Sequence, residues 1–299
     1  MTNLYGIVLL IFASLIWGSA YPSMEYAFNL GVGVFSLLTI RFLVGGVILS
    51  IIYFKELKKL NKEEMKICFC SSVFVFIMFF TMSYGLLYIS SARGAALFSS
   101  YLIFTLIIKR ILKKAQFSAM NISYSLLIII GIFYINKNGF YLNGFSVGDF
   151  YSILSGFFFA LNIVYLEQNS KKMSYKKLSV VQMFVCGFFS LIFISVFNEP
   201  LFHLTKDLTL NILYLSIVVT AFGYTAQNQA LKFVDAEKTS VIMSTQSIFT
   251  IFISVIVFGN FLTTDMIKGI IFIGLGIFLY SISIRENNKK LINSKSKRA

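Results

Sequence analysis

The stretch Ile89-Ser-Ser-Ala-Arg-Gly-Ala-Ala-Leu-Phe-Ser-Ser100 returns 145 residues later as Val234-Asp-Ala-Glu-Lys-Thr-Ser-Val-Ile-Met-Ser-Thr245. In this alignment Arg93 pairs with Lys238, Ser99 with Ser244 and, beyond the stretch, Gly131 with Gly276. Earlier in each half, Ser14 to Glu25 resembles Gly156 to Glu167 at an offset of 142. Offsets this long mark a duplicated unit. A small-residue stripe, Ser91, Ala95 and Ser99, recurs as Ala236, Ser240 and Ser244. Such stripes let helices approach closely in lipid, where hydrophobicity cannot drive association. One stripe alone could arise by coincidence in an apolar helix.

Around these stretches the chain is apolar from end to end. It has 299 residues, 58% hydrophobic and only 13% charged, with mean hydropathy +0.82. A soluble domain carries about 25% charged residues, so a water-soluble globular protein is excluded. Two prolines exclude a linker-rich or disordered chain. Runs long enough to cross about 30 Å of hydrocarbon as helix fall near 5–23, 34–54, 67–87, 93–112, 119–136, 149–166, 178–197, 209–230, 239–258 and 267–284. The runs are continuous, not alternating, which argues against a barrel. The leader before the first run has no basic residue, so that run reads as a retained helix and not a cleaved signal.

The fold class predicted is therefore an all-α membrane protein with ten transmembrane helices. Residues 1–139 form a first five-helix repeat, 140–284 a second, and 285–299 a basic tail. Five is odd, so the second repeat enters the membrane inverted, an arrangement common in transporters. The net charge of +14 does not point to nucleic acid, because the basic residues sit in short clusters between apolar runs. With the N-terminus inside, the cytoplasmic segments hold Lys55–Lys66, Lys109–Lys114, Lys171–Lys177, Lys232, Lys238 and the tail. The bias is 21 basic residues inside against Arg93, Lys137, Lys206 and Lys268 outside. Both termini are expected in the cytoplasm of a cell with an inner (plasma) membrane. Cys68 and Cys70 point to different sides of one helix and Cys186 is isolated, so neither a disulfide framework nor a thiolate metal site is expected.

The chain resembles EamA-type members of the drug/metabolite transporter superfamily over nearly its whole length. The residues that carry the resemblance in the first half are Trp17-Gly18-Ser19, Arg41-Phe42 and Ser91-Ala92-Arg93-Gly94-Ala95-Ala96. In the second half they are Ala230-Leu231-Lys232-Phe233-Val234, Ala236-Glu237-Lys238, Gly269 and Gly276. The resemblance implies a ten-helix inner-membrane carrier with a cavity between the repeats, moving small metabolites by alternating access. It also implies a proline about eight residues into helices four and nine, where this chain has Leu102 and Ser247. A Gly-Glu ending is replaced by Lys114-Ala115 and Gly259-Asn260.

Single residues carry two readings each. Arg41 is the one basic residue well inside a predicted span; it is an anion contact or gate, or a structural anchor bonded to carbonyls. Glu25 and Glu167 occupy matching repeat positions and either couple transport to protons or sit as interfacial carboxylates in water. Trp17 and Tyr224 line a cavity or pack between helices. Gln227 lies deep enough to matter, whereas headgroup contact accounts for Asn228 and Gln229. Tyr101 and Gln246 are repeat equivalents, each eight residues past a helix entry and so close to the midplane. With Ser99, Ser100, Ser244 and Thr245 they are expected to line the substrate site; the other reading makes Gln246 interhelical glue.

His203, the sole histidine, falls in an outer loop. Neither a metal-spaced His/Asp/Glu cluster nor a phosphate loop is present in the sequence, so no catalytic residue, metal or cofactor is expected, and no ATP engine. The expected partners are a small-molecule substrate and the lipid bilayer, with a homodimer left open. The leading class is a non-enzymatic secondary transporter of a small organic metabolite such as an amino acid or nucleobase-like compound. The alternatives are a lipid flippase and a membrane enzyme acting on lipid or acyl groups.

Overall fold

In hydrocarbon a backbone must satisfy its own hydrogen bonds, and a continuous apolar run does so as helix. In the computed structural model, which describes residues 2–113, 119–199, 202–259 and 261–296, every regular element is helical. The first half contains α1 (Thr2–Asn29), α2 (Val34–Ile52), the short α3 (Phe54–Leu57), α4 (Lys62–Gly85), α5 (Ser91–Phe98), α6 (Tyr101–Lys113) and α7 (Ala119–Asn143). The second contains α8 (Val147–Asn169), α9 (Tyr175–Phe197), α10 (Lys206–Tyr214), a π-helical stretch Leu215–Phe222, α11 (Gly223–Ala230), α12 (Ala236–Met243), α13 (Thr245–Phe258) and α14 (Thr264–Ser296). The Lys114-Ala115 pair, Asn260 and residues 297–299 lie outside the described residues.

Among the described residues eight segments are long and apolar enough to cross a membrane, and Ile122–Lys137 is a shorter apolar helix. This is a multi-pass membrane protein. Polar residues set where the helices begin. Asn61 and Glu64 form a capping box at α4, with Glu64 N–H donating to Asn61 Oδ1 at 2.8 Å. Ser146 and Asp149 do the same at α8. Asp235 accepts from Lys238 N–H at the start of α12.

The packing of one half mirrors that of the other. Helix α4 packs on α8 as α11 packs on α1; α4 meets α9 as the π-helical stretch meets α2; and α5 and α6 meet α8 as α12 and α13 meet α1. Equivalent helical runs also meet each other: α2 with α9, α7 with α14, and the α5/α6 run with the α12/α13 run, through α5 and α13. Each of these three pairs runs antiparallel. Gly46 lies against Met183 while Gly187 lies against Leu43. A Cβ on Gly131 would sit 2.7 Å from the Gly269 carbonyl, and one on Gly276 would sit 2.9 Å from the Tyr124 carbonyl. Ser91 Oγ meets Ser254 Oγ at 2.8 Å, and Ser99 Oγ donates to Ser247 Oγ at 3.3 Å. The small-residue stripe of α5 thus touches α13, as close packing in lipid requires.

Helices α5/α6 and α12/α13 are single apolar runs that break in the middle, at Ser99–Ser100 and at Ser244. The breaks fall at equivalent positions although neither run contains proline. Local tightening supplies the physical cause. Ser100 N–H donates to the Leu97 carbonyl at 3.0 Å and Leu102 N–H to the Ser99 carbonyl at 3.1 Å, both three residues back. In the second half Ser244 Oγ, Thr245 Oγ1 and Ser247 Oγ donate to carbonyls three residues earlier, at 2.7, 2.8 and 2.8 Å. Hydroxyls bonded back to the backbone bend helices as proline does.

Candidate functional site

A small cavity of about 20 Å³ lies between the halves, beside both helix breaks. Its lining comes from α1 (Trp17, Ala20, Tyr21), α2 (Arg41), α4 (Met78, Phe79, Met82), α5 (Phe98), the π-helical stretch (Val219) and α13 (Gln246). That volume has room for about one water molecule, so the site stands closed in this structure and must widen to admit a larger guest. The wide turns of the π-helical stretch shape one wall, and such bulges gather at functional sites. There Thr220 Oγ1 donates to the Leu215 carbonyl five residues back, at 2.7 Å, which leaves its lone pairs for Arg41.

Arg41 is 1% exposed. Its Nε donates to Thr220 Oγ1 at 2.9 Å and its Nη1 to Met24 Sδ at 3.1 Å. The guanidinium lies 4.8 Å from the Phe79 ring centre and 5.4 Å from that of Phe42. Every one of these partners is neutral. Trp17 donates its indole N–H to the Val219 carbonyl at 3.3 Å, and its ring tilts against Tyr224 with centroids 4.7 Å apart. Four buried polar groups around this space have no hydrogen-bond partner: Tyr21 OH, Tyr101 OH, Tyr224 OH and both ends of the Gln246 amide. An unpaired buried polar group costs about 1–3 kcal/mol, so a cluster of them calls for a partner at this place, a water or a ligand.

The residues singled out from sequence divide into three sets. Trp17, Arg41 and Gln246 line the cavity, and Tyr224 packs directly behind Trp17. Ser99 and Ser244 form the helix breaks and bond carbonyls of their own helices. Tyr101 packs on Phe98 and Phe159, Ser100 is half-buried beside Gly156, and Thr245 bonds its own helix, none of them in the lining. Gln227 is buried with both amide atoms unpaired, away from the lining. Asn228 does not reach the headgroups: it is 3% exposed and donates to Gln182 Oε1 at 2.8 Å and Ser179 Oγ at 3.0 Å. Gln182 continues this network to Ser71, and Ser71 to Asn162. Sequence reasoning missed the other lining residues: Tyr21, Met78, Phe79, Met82 and Phe98, with the smaller Ala20 and Val219.

Glu25 and Glu167 lie at opposite ends of the molecule. Glu25 accepts from Ser91 N–H at 2.7 Å and borders a second, wider cavity of about 380 Å³ between α1, α5 and α13. Beside it, Arg93 clasps buried Asp149 through two bonds of 2.7 and 2.6 Å. At the other end Lys109 lies between Glu167 Oε1, at 3.4 Å, and Asp235 Oδ1, at 3.2 Å. Arg110 and Tyr124 converge on Glu237 next to it. Burial works to raise the Asp235 carboxyl, but the Lys109 charge and the Lys238 N–H hold it below its ordinary value. His203 is exposed in the loop before α10.

A bundle of membrane helices in two matching halves, around a mostly apolar cavity that holds a buried arginine, is the architecture of a membrane transporter. The chain belongs to the EamA-like transporter family, which it matches over residues 4–137 and 146–282. It is also similar to an uncharacterized transporter of Archaeoglobus fulgidus, with 24% identity over 282 residues, 94% of this chain and 87% of the relative. A solved crystal structure, its title giving no function, shares the fold with a TM-score of 0.77 at 11% identity, covering 94% of this chain and 98% of the other.

Proposed function

We propose that the protein is a secondary transporter with ten spans in two inverted five-helix repeats. It carries a small organic metabolite, of the size of an amino acid or nucleobase, across the plasma membrane by alternating access. The observation that carries this reading is the central cavity, which both halves line and in which Arg41, Tyr21 and Gln246 face unpaired or neutral surroundings. Inversion is supported by the antiparallel contact of three pairs of equivalent helices. The ion-pair cluster around Lys109 closes one end, and the contacts around Glu25 and Arg93 guard the other. The bias of basic residues supports a cytoplasmic position for the Lys109 end and both termini. Glu167, against Lys109, and Glu25, holding the start of α5, are the carboxylates proposed to couple transport to protons.

A lipid- or acyl-modifying enzyme would need an acid/base set at membrane depth. The lining, among the described residues, supplies one guanidinium, a phenol and an amide. Uptake of a labelled metabolite panel into proteoliposomes tests the proposal. Saturable uptake of one compound class is expected. Movement or modification of lipid with no uptake of any compound would overturn it.

A further inference from the structure

We propose that the guest of the central cavity is a small monocarboxylate: one carboxylate on an apolar body, with no ammonium group. The inference rests on the reading of the cavity as the substrate site and names the class of compound that fits it.

The charge arithmetic of the site comes first. A cation at membrane depth is costly and as a rule has a charged or water partner. Arg41 has a threonine hydroxyl, a thioether and two aromatic faces. The carboxylates buried at the helix ends hold other partners. Glu25 holds the start of α5, Asp149 holds Arg93, Glu167 and Asp235 hold Lys109, and Glu237 holds Tyr124. Glu64 is bonded to Lys177, and Glu199 accepts from the N–H groups of Phe35 and Ser36 at the start of α2. The lining therefore carries a single positive charge without a counter-charge.

The missing charge is supplied by the guest. A guanidinium matches a carboxylate through paired N–H donors. The Tyr21 hydroxyl and the Gln246 amide, both in the lining, add neutral donors that are now unpaired. A dianionic phosphate would leave a net negative charge in an otherwise apolar chamber. An ammonium group, as in a zwitterionic amino acid, would meet no carboxylate in the lining. The rest of the wall is Met78, Phe79, Met82, Phe98 and Val219, which suits an apolar body.

The protein carries its own reporter, because the single tryptophan, Trp17, is in the lining. Purified protein is titrated with 3-phenylpropanoate, 3-phenylpropanamide, L-phenylalanine and phenyl phosphate while Trp17 emission is followed. The acid is expected to give a saturable change, and the other three to bind at least about tenfold more weakly, the value of one charge-assisted bond. Arg41→Gln is expected to lose about tenfold for the acid and nothing for the amide, with Arg41→Lys between. If Arg41→Gln does not remain monodisperse, the wild-type comparison and Arg41→Lys decide. Equal binding of acid and amide, tighter binding of phenylalanine or phenyl phosphate, or no response to the acid would each overturn the proposal. Proteoliposomes separate it from the transport reading. Binding of the acid without its flux sinks transport and leaves the class standing; flux of a neutral or cationic compound without acid binding does the reverse.

Discussion

The Arg93–Asp149 pair holds the start of α5 to the start of α8 through two short bonds, with Asp149 wholly buried. Removing one partner of such a pair strands a buried charge and costs about 3–5 kcal/mol. Arg93→Met is therefore expected to lower the thermal unfolding midpoint in detergent markedly; an unchanged midpoint would show that the pair contributes little. Gln246 tests the cavity itself. Gln246→Leu removes an amide that has no partner in the protein, so stability should hold or rise while transport falls at least about tenfold. Transport with unchanged affinity would make Gln246 no ligand. Arg41 and Gln246 were legible in sequence because polar groups inside apolar runs stand out. Tyr21, Met78, Phe79, Met82 and Phe98 were not. On helices that are hydrophobic all round, no periodicity separates a cavity-facing phenylalanine from a lipid-facing one.

At the scale of elements, α7 and α14 cross where glycine lets two backbones touch, Gly131 against Gly269 and Gly276 against the Tyr124 carbonyl. These two contacts are equivalents under the repeat offset. A side chain at Gly131 would meet both the Gly269 carbonyl and Ile273 Cγ1 at 2.7 and 2.6 Å. Gly131→Leu should separate the pair and cost about 1–3 kcal/mol as overpacking, read as a fall in unfolding midpoint, whereas Gly274→Leu, with open space around it, should cost nothing measurable. Equal effects would contradict the crossing. The repeat offset told in advance that such elements would correspond, and Gly131 and Gly276 were matched from sequence alone. The helix breaks were not foreseen. Family-type prolines are missing at Leu102 and Ser247, yet backbone tightening around Ser99–Ser100 and the hydroxyl bonds of Ser244, Thr245 and Ser247 break the two runs at equivalent positions. Serine within an apolar helix gives a weaker sign of a break than proline, since it also serves as close packing.

For the whole molecule, orientation follows from charge. Reporters at the C-terminus and within Lys55–Lys66 should both read cytoplasmic, because basic residues favour that side by 21 to 4. An external reading at the C-terminus would remove the inverted ten-span arrangement. The shape that sequence could not supply is the cavity, which exists only where α1, α2, α4, α5, the π-helical stretch and α13 converge. Its role as the passage is tested most directly from both faces of the membrane. In a protein with Cys68, Cys70 and Cys186 replaced by Ala, a single cysteine is placed in the lining by Ala20→Cys. Membrane-impermeant thiol reagents are then applied to one face at a time. A cavity that alternates should be modified from either face and protected by the transported compound. Modification from neither face, or from one face only under all conditions, would contradict a passage through this cavity.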